Sequence, residues 1–354
     1  MEIYEIAILG RATWDLHSLN NEGTVGNVTE PRTLALADGR KTDGISGEML
    51  KHIHAASMWA LESDKGKFCE VCKLFRPERA DGNPRVREKV GTKNPAEEAV
   101  KEAIRCELCD IHGFLVQRPP ATRGSTVEFG WAVGIPDIQR SIHVHSRVAL
   151  HEARLAVEER REMGKWEGDK CSWERREEGR VVEICSAEPN ESILYKVKGK
   201  WYCEEHVPGA VTPQMLYHRP TRSGVYGVVT VFQPWRIGLN NVNFNYDIDD
   251  DIERKHRYEL ALKAYQAMFM RLEGSMTSTR LPHTEGFEGL IVVAKSNFPV
   301  PVISPLKGDY KEQVEELTGN IDSGVIEVKR FASLPQFIEE IKSLLSESPY
   351  KVKF

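Results

Sequence analysis

The chain has 354 residues, 40% hydrophobic and 29% charged, with 48 Lys plus Arg against 53 Asp plus Glu for a formal charge of −5. That composition excludes intrinsic disorder, collagen-like repetition and a globally basic nucleic-acid binder, and the length calls for a main domain with large insertions or for two domains. No run of about eighteen apolar residues occurs, and Met1-Glu2-Ile3-Tyr4-Glu5 lacks the basic and apolar regions of a signal peptide, so a cytoplasmic chain with no membrane partner is expected. Seven cysteines, an odd number for a reducing compartment, argue for metal ligation rather than a disulfide framework.

In chain order, residues 2–19 combine an apolar run with alternation and predict a long first strand, and residues 20–44, rich in Asn, Gly, Thr and Asp, predict a loop. Ser46 is a good N-cap, and Met49, Leu50, Ile53, Met58 and Leu61 follow at helical spacing, which predicts a helix over 47–62. Residues 63–140 hold charges, Gly, Pro, four cysteines and one expected helix at 96–105, without a strong core signal. Alternation returns at 141–151, where Ile142, Val144, Ser146, Val148 and Leu150 form an expected core face and His143, His145 and Arg147 lie on the other. A second charged excursion, 152–223, carries the other three cysteines. Then come a β-rich run (225–237), an amphipathic helix (252–272) behind Asp249-Asp250-Asp251, a short apolar strand (289–294), a helix (310–317), a strand (325–331) and a helix (334–345).

Without the excursions the order is strand, helix, strand, strand, helix, strand. This predicts an α+β chain with a ferredoxin-like or RRM-like palm. The palm is assigned to 1–62, 141–151 and 224–354, with insertions at 63–140 and 152–223 leaving the sheet at its loops.

Cys69-x-x-Cys72 and Cys106-x-x-Cys109 supply four thiolates from two knuckles, enough for a tetrahedral zinc site clamping a loop-rich segment. Cys171 and Cys185 flank Glu177-Glu178-Gly179-Arg180, a hairpin turn that would bring them to the Cys203-x-x-His206 knuckle as a second, Cys₃His zinc site. Buried or free thiols are the competing reading of this wider spacing. Both sets leave no open position for a reacting water, so their role is structural.

Residues 207–246 contain no acid and interleave Tyr217, His218, Arg219, Arg222, Tyr226, Phe232, Trp235 and Arg236, which suits either a nucleic-acid surface or a buried strand with loops. Ser46-Gly47 opens a helix with Lys51 one turn further in, an anion site unless the cap is satisfied internally. Asp247, Asp249, Asp250 and Asp251 suggest dipole compensation at a helix start in preference to magnesium. No phosphate-binding Gly-x-x-x-x-Gly-Lys, Gly-x-Ser-x-Gly or His-Glu-x-x-His motif occurs, and no catalytic set stands out.

Gly10-Arg11-Ala12-Thr13, the run Asn20 to Asn27 and Asp43 to His52 resemble the start of the CRISPR-associated DevR-type proteins, the repeated backbone subunit of type I Cascade and seventh Cas family. The spacing is closest to archaeal subtype I-A. Ser141 to Val148, Ser223-Gly224-Val225-Tyr226 and the loop from Gly274 to His283 extend the resemblance along the palm, leaving both insertions weakly covered.

The resemblance implies a palm with fingers at 63–140 and a thumb at 152–223. It implies copies stacked head to tail along a CRISPR RNA, gripping its backbone and displaying bases to target DNA beside subunits of the fifth and eighth Cas families and a small subunit. Ser46 and Lys51, His143 and Arg147, and Ser278 and Arg280 would then meet RNA, with Asn20 and Asn21 matching by position. The cysteines depart from the family pattern, so zinc rests on their spacing. Related type III subunits cut RNA with an aspartate before the first helix, which keeps Asp38 and Asp43 as candidates for a metal-dependent endoribonuclease. A DNA-binding autoregulator would need a recognition helix, and no helix-turn-helix is evident.

Overall fold

The strand Glu5–His17 lies at the centre of a large sheet in the computed structural model, which describes residues 1–147, 158–166, 168–188, 191–207, 215–274 and 277–354. Ile6, Ile8, Ala12 and Trp14 join a large core on one face, while Ala7 and Leu9 join a smaller core on the other. A strand buried on both faces must be apolar at consecutive positions, which is why Ile6 to Leu9 read as an unbroken run. Glu5–His17 pairs antiparallel with Met215–Phe232 and His283–Ala294, and Ile326–Phe331 pairs antiparallel with His283–Ala294. Gln139–Arg147 pairs with Met215–Phe232. Gly10 faces Gly289 at the centre, where a Cβ on Gly289 would lie 2.2 Å from the Leu9 carbonyl oxygen, so close strand approach requires glycine there.

Helix Gly47–Leu61 starts at Ser46, whose hydroxyl accepts the Met49 N–H at 3.2 Å. Helix Asp251–Met270 starts at Asp250, whose carboxylate accepts the Glu253 N–H at 2.9 Å; the acidic run therefore caps a helix, as expected. These two helices pack together, and Leu334–Leu344 packs beside Asp251–Met270 on the larger core. Tyr310–Gly319 covers the opposite sheet face through Tyr310 and Val314. Among the described residues no helix is long and apolar enough to cross a membrane.

Several expectations change. Residues 20–44 are not a loop but hold the short strands Asn21–Val25, Val28–Pro31, Thr33–Ala35 and Lys41–Ile45; the first three are largely unburied, so they lack an apolar alternation to announce them. Residues 63–140 do contribute to the core. Phe68, Cys72, Val86, Val100, Ile104 and Ile111 enter the large cluster, and Val127–Phe129 and Ala132–Gly134 pair with Met215–Phe232. Their apolar residues are spread over many short turns, which hides the periodicity. The expected core face of 141–151 is open where it is described, with Ile142 66% and Val144 61% exposed; Val148 and Leu150 lie outside the described residues.

The chain divides into two compact units, Met1–Gly23, Glu30–Ile142 and Pro220–Phe354 in one and Thr24–Thr29 and His143–Arg219 in the other. The second unit has a sheet of Glu159–Arg161, Leu194–Val197 and Lys200–Cys203 around a small core of Trp166, Leu194 and Cys203. A hairpin, Glu174–Glu177 with Arg180–Ile184, turns through Glu178 and Gly179 at positive φ, on the residues expected.

Within the first unit, buried Asp110 joins four segments. Its carboxylate lies 2.7 Å from Arg123 Nη2 and 2.8 Å from Arg257 Nη1, and it accepts the Gly238 N–H. Arg257 also donates to the Ile104 carbonyl at 2.7 Å. Removing the carboxylate leaves the Arg123 guanidinium without a carboxylate and Arg257 with Glu253 alone, so Asp110→Ala is expected to lower unfolding free energy by about 3–5 kcal/mol in a urea titration. A loss within about 1 kcal/mol would show that carbonyls and Glu253 are enough to hold the arginines at the junction.

Burial lowers the pKa of His17 and of His54 to about 3. Below about pH 6.5 the unfolded chain binds protons that the folded chain refuses, so stability falls as pH drops from there towards about 3. His17→Gln is expected to flatten that fall by up to about 1.4 kcal/mol per pH unit in urea titrations, and an unchanged slope would refute the assignment.

Candidate metal centres and nucleic-acid interface

Each Cys-x-x-Cys pair begins a short helix. Cys69 precedes Glu70–Lys73 and Cys106 precedes Glu107–His112, so the first cysteine caps the turn and the second projects from it on the same side. The four sulfurs lie within 4.8 Å of one another, with Cys72 Sγ and Cys109 Sγ 3.6 Å apart. Hydrogen bonding with Cys106 pushes both of those thiols well above their ordinary range. Four sulfurs this close do not all ionise unaided, whereas a divalent cation displaces the protons and satisfies the set.

The second predicted set also converges. Cys171, Cys185, Cys203 and His206 offer ligand atoms within 4.8 Å of one another. Cys203 Sγ lies 3.1 Å from His206 Nδ1 and 3.6 Å from Cys185 Sγ, while Cys171 Sγ lies 4.0 Å from the same ring nitrogen. Trp173 stacks on the His206 ring at 4.1 Å and holds its plane. The Cys203 N–H points to Cys171 Sγ at 3.3 Å and the Ala187 N–H to Cys185 Sγ at 3.4 Å, contacts suited to thiolates. Both donor sets fit a closed, four-coordinate metal and supply it no open position.

A third grouping, Glu62, Glu107 and His256, comes from three separate segments and has no spacing that sequence reading could have found. Lys67 Nζ sits among them, 2.7 Å from His256 Nε2 and 3.6 and 3.8 Å from the two carboxylates. The ammonium is therefore the resident cation of this cluster.

The expected RNA-contact residues are dispersed. Ser46 is buried, its N–H donating to Asn20 Oδ1 at 2.6 Å while its hydroxyl caps the helix, so the satisfied-cap reading holds. Asn20 is held at φ 55°, and Asn21 Nδ2 donates to the Ser18 carbonyl at 3.1 Å. Lys51 is half-buried one turn into the helix and has no carboxylate within ion-pair distance among the described residues; burial first, then Arg79, lower its pKa. Ser278 is exposed and Arg280 half-buried. In the other unit His143 is exposed, and the Arg147 side chain lies outside the described residues.

Of the acid-free run, Arg222, Tyr226 and Phe232 are fully buried and Trp235 stacks on Tyr4 at 5.5 Å. Here the buried-strand reading prevails. Tyr217 remains half-buried beneath the Arg219 guanidinium, 4.7 Å from its ring centre.

The architecture is a mixed α/β protein with two closed cysteine-rich centres. The family of the CRISPR-associated negative auto-regulator DevR/Csa2 matches at residues 8–166 and 203–315, and the chain belongs to that family. It is 21% identical over 350 residues to a CRISPR-associated protein Cas7/Cst2/DevR of Methanocaldococcus jannaschii, covering 96% of each chain. Among solved structures it is similar to a chain of a CRISPR RNA-guided surveillance complex, pre-nicking, at 11% identity and TM-score 0.49 over 97% of this chain and 99% of that one. A chain of a CRISPR RNA-guided surveillance complex gives 10% identity and TM-score 0.42 over 97% and 98%.

Elemental analysis of purified protein is expected to return two zinc ions per chain, and Cys203→Ser to return one. Because the second unit has so small a core, that variant is also expected to expose residues 158–207 to proteolysis while the first unit resists. One ion in the wild type would remove the second site.

Proposed function

We propose that this DevR-type chain is a non-catalytic backbone subunit that oligomerises along a CRISPR RNA in a type I interference complex, of the archaeal I-A kind, and presents the guide for pairing with target DNA. Family membership along most of the chain carries the reading. Copies of the chain, the large and small Cascade subunits and the RNA are its partners, in the cytoplasm. The palm is ferredoxin-like, supported by the order His283–Ala294, Glu5–His17, Met215–Phe232, Gln139–Arg147, the fourth, first, third and second strands of such a sheet. Residues 63–140 serve as fingers and 152–223 as thumb, each clamped by structural zinc through its cysteine set.

Two observations favour the scaffold over the nuclease. Asp43 is buried and held by Arg140, with Nη2 2.5 Å from Oδ1 and Nε 3.2 Å from Oδ2. Asp38 is held by the side chain of Arg40, whose hydrogen bond lowers its pKa. A carboxylate committed to a guanidinium is poorly placed to bind a catalytic cation or activate a nucleophile. Against the autoregulator, the consecutive short helices Pro95–Ala103 and Glu107–His112 offer no recognition helix, because the second is buried at every position.

The grip on RNA goes through phosphates, to which Lys51 contributes its charge. Incubated with matched target RNA and Mg²⁺, the protein is expected to form RNA-dependent oligomers without cleavage. Regularly spaced cuts that disappear in Asp38→Ala or Asp43→Ala would establish the nuclease instead. Lys51→Ala is expected to weaken binding evenly across RNA sequences and reduce the salt slope by about one unit. A change in sequence discrimination would contradict a backbone grip.

A further inference from the structure

Glu62 caps the C-terminal end of Gly47–Leu61, Glu107 begins the helix that follows Cys106, and His256 lies in the second turn of Asp251–Met270. Three separate elements thus bring two carboxylates and an imidazole together, with ligand atoms within 4.8 Å of one another. We infer that these three residues form a site for a divalent cation of the manganese or magnesium class, which displaces the Lys67 ammonium and completes its coordination with water. The water comes from an adjoining cavity of about 490 Å³ whose wall includes Lys67, Glu107 and His256.

Lys67 fits this place poorly. His256 Nε2 lies 2.7 Å from the Lys67 ammonium, which only donates, and 2.7 Å from Glu62 Oε2, which as a carboxylate oxygen only accepts. Protonated, the ring nitrogen serves the carboxylate and turns its proton against the ammonium. Bare, it serves the ammonium and opposes its lone pair to the carboxylate. Neither state of the ring satisfies both contacts, whereas a metal ion takes lone pairs from all three donors at once.

Glu107 supplies an independent observation. It is 1% exposed, and its Oε1 lies 3.8 Å from Lys67 Nζ and 3.5 Å from His256 Nε2, while its Oε2 is buried with no hydrogen-bond partner. A buried carboxylate served only at that range lacks the compensation its burial calls for. The other cations of the cavity wall are engaged elsewhere, Arg105 with Glu102 and Arg257 with Asp110 and Glu253. Oxygen-rich donors and a competing ammonium make the cation exchangeable during purification, whereas the thiolate sets retain zinc. Bound there, the cation ties the end of the first helix to the cysteine-held segment and to the long helix, independently of any RNA.

The test titrates Mn²⁺ into full-length, zinc-loaded protein and follows the ion by electron paramagnetic resonance. Wild type is expected to bind one Mn²⁺ per chain with an imidazole-nitrogen coupling. Lys67→Gln is expected to tighten binding about tenfold by removing the competing charge, and Glu107→Gln to weaken it by at least about tenfold. His256→Gln, at a half-buried position, is expected to weaken binding and remove the nitrogen coupling, and it carries the test should Glu107→Gln lose its fold. Zinc content and circular dichroism monitor that fold. An ion-pair network without a metal role gains affinity in none of these variants. Failure of wild type to bind Mn²⁺ at millimolar concentration, even with binding in Lys67→Gln, would make Lys67 a permanent occupant and overturn the site. Binding left at the wild-type level by both Glu107→Gln and His256→Gln would place the ion on acids elsewhere and overturn it equally.

Discussion

The buried carboxylate of Asp110 is the junction on which the larger unit depends. It lies on the short helix that begins at Cys106, between two arginines from distant segments, and also accepts the Gly238 N–H. Burying three charges is unfavourable unless each is paired and its remaining donors are satisfied. Arg123 donates further to the Leu239 and Arg236 carbonyls, and Arg257 to the Ile104 and Arg105 carbonyls and to Glu253, while its buried Nε has no hydrogen-bond partner among the described residues. The same residues therefore hold the cysteine-bearing segment to the long helix and finish turns that have no regular ladder.

The two cysteine centres meet different structural needs. The first lies against a large core, with Cys72, Cys106 and Cys109 buried among apolar side chains, so packing already supports it. Its helix leads directly into the turn at Phe75 and Arg79, and the cysteine donors and Arg79 thus share one local structure. The second lies in a unit whose buried apolar cluster, among the described residues, is three residues, one of them the donor Cys203. There the donors take the place of a core.

The same physics separates motifs that were read correctly from those that were not. Cysteine pairs at fixed spacing, the Glu178-Gly179 turn and the caps Ser46 and Asp250 are local in sequence, and their geometry followed from a few neighbouring residues. The acid-free run at 207–246 was ambiguous because a phosphate-facing surface and a buried strand both exclude carboxylates. Arg222 shows how the buried option was realised: it donates to the Leu19 carbonyl from a position with no exposed surface. The strand face of Ile142 and Val144 misled because apolar alternation records that a face avoids water, without saying what covers it.

By itself the sequence determined the order of the long strands and helices, the two metal-donor sets and the family resemblance, all of which rest on spacing within short stretches or on matched motifs. Tertiary structure alone decided that the cysteine-bearing segment shares the main core, that Asp43 is committed to Arg140 and that Lys51 faces Arg79 and His112 across a cavity. These are encounters between residues tens to hundreds of positions apart. Their energies depend on which side chains are buried together, a quantity that no periodicity along the chain encodes.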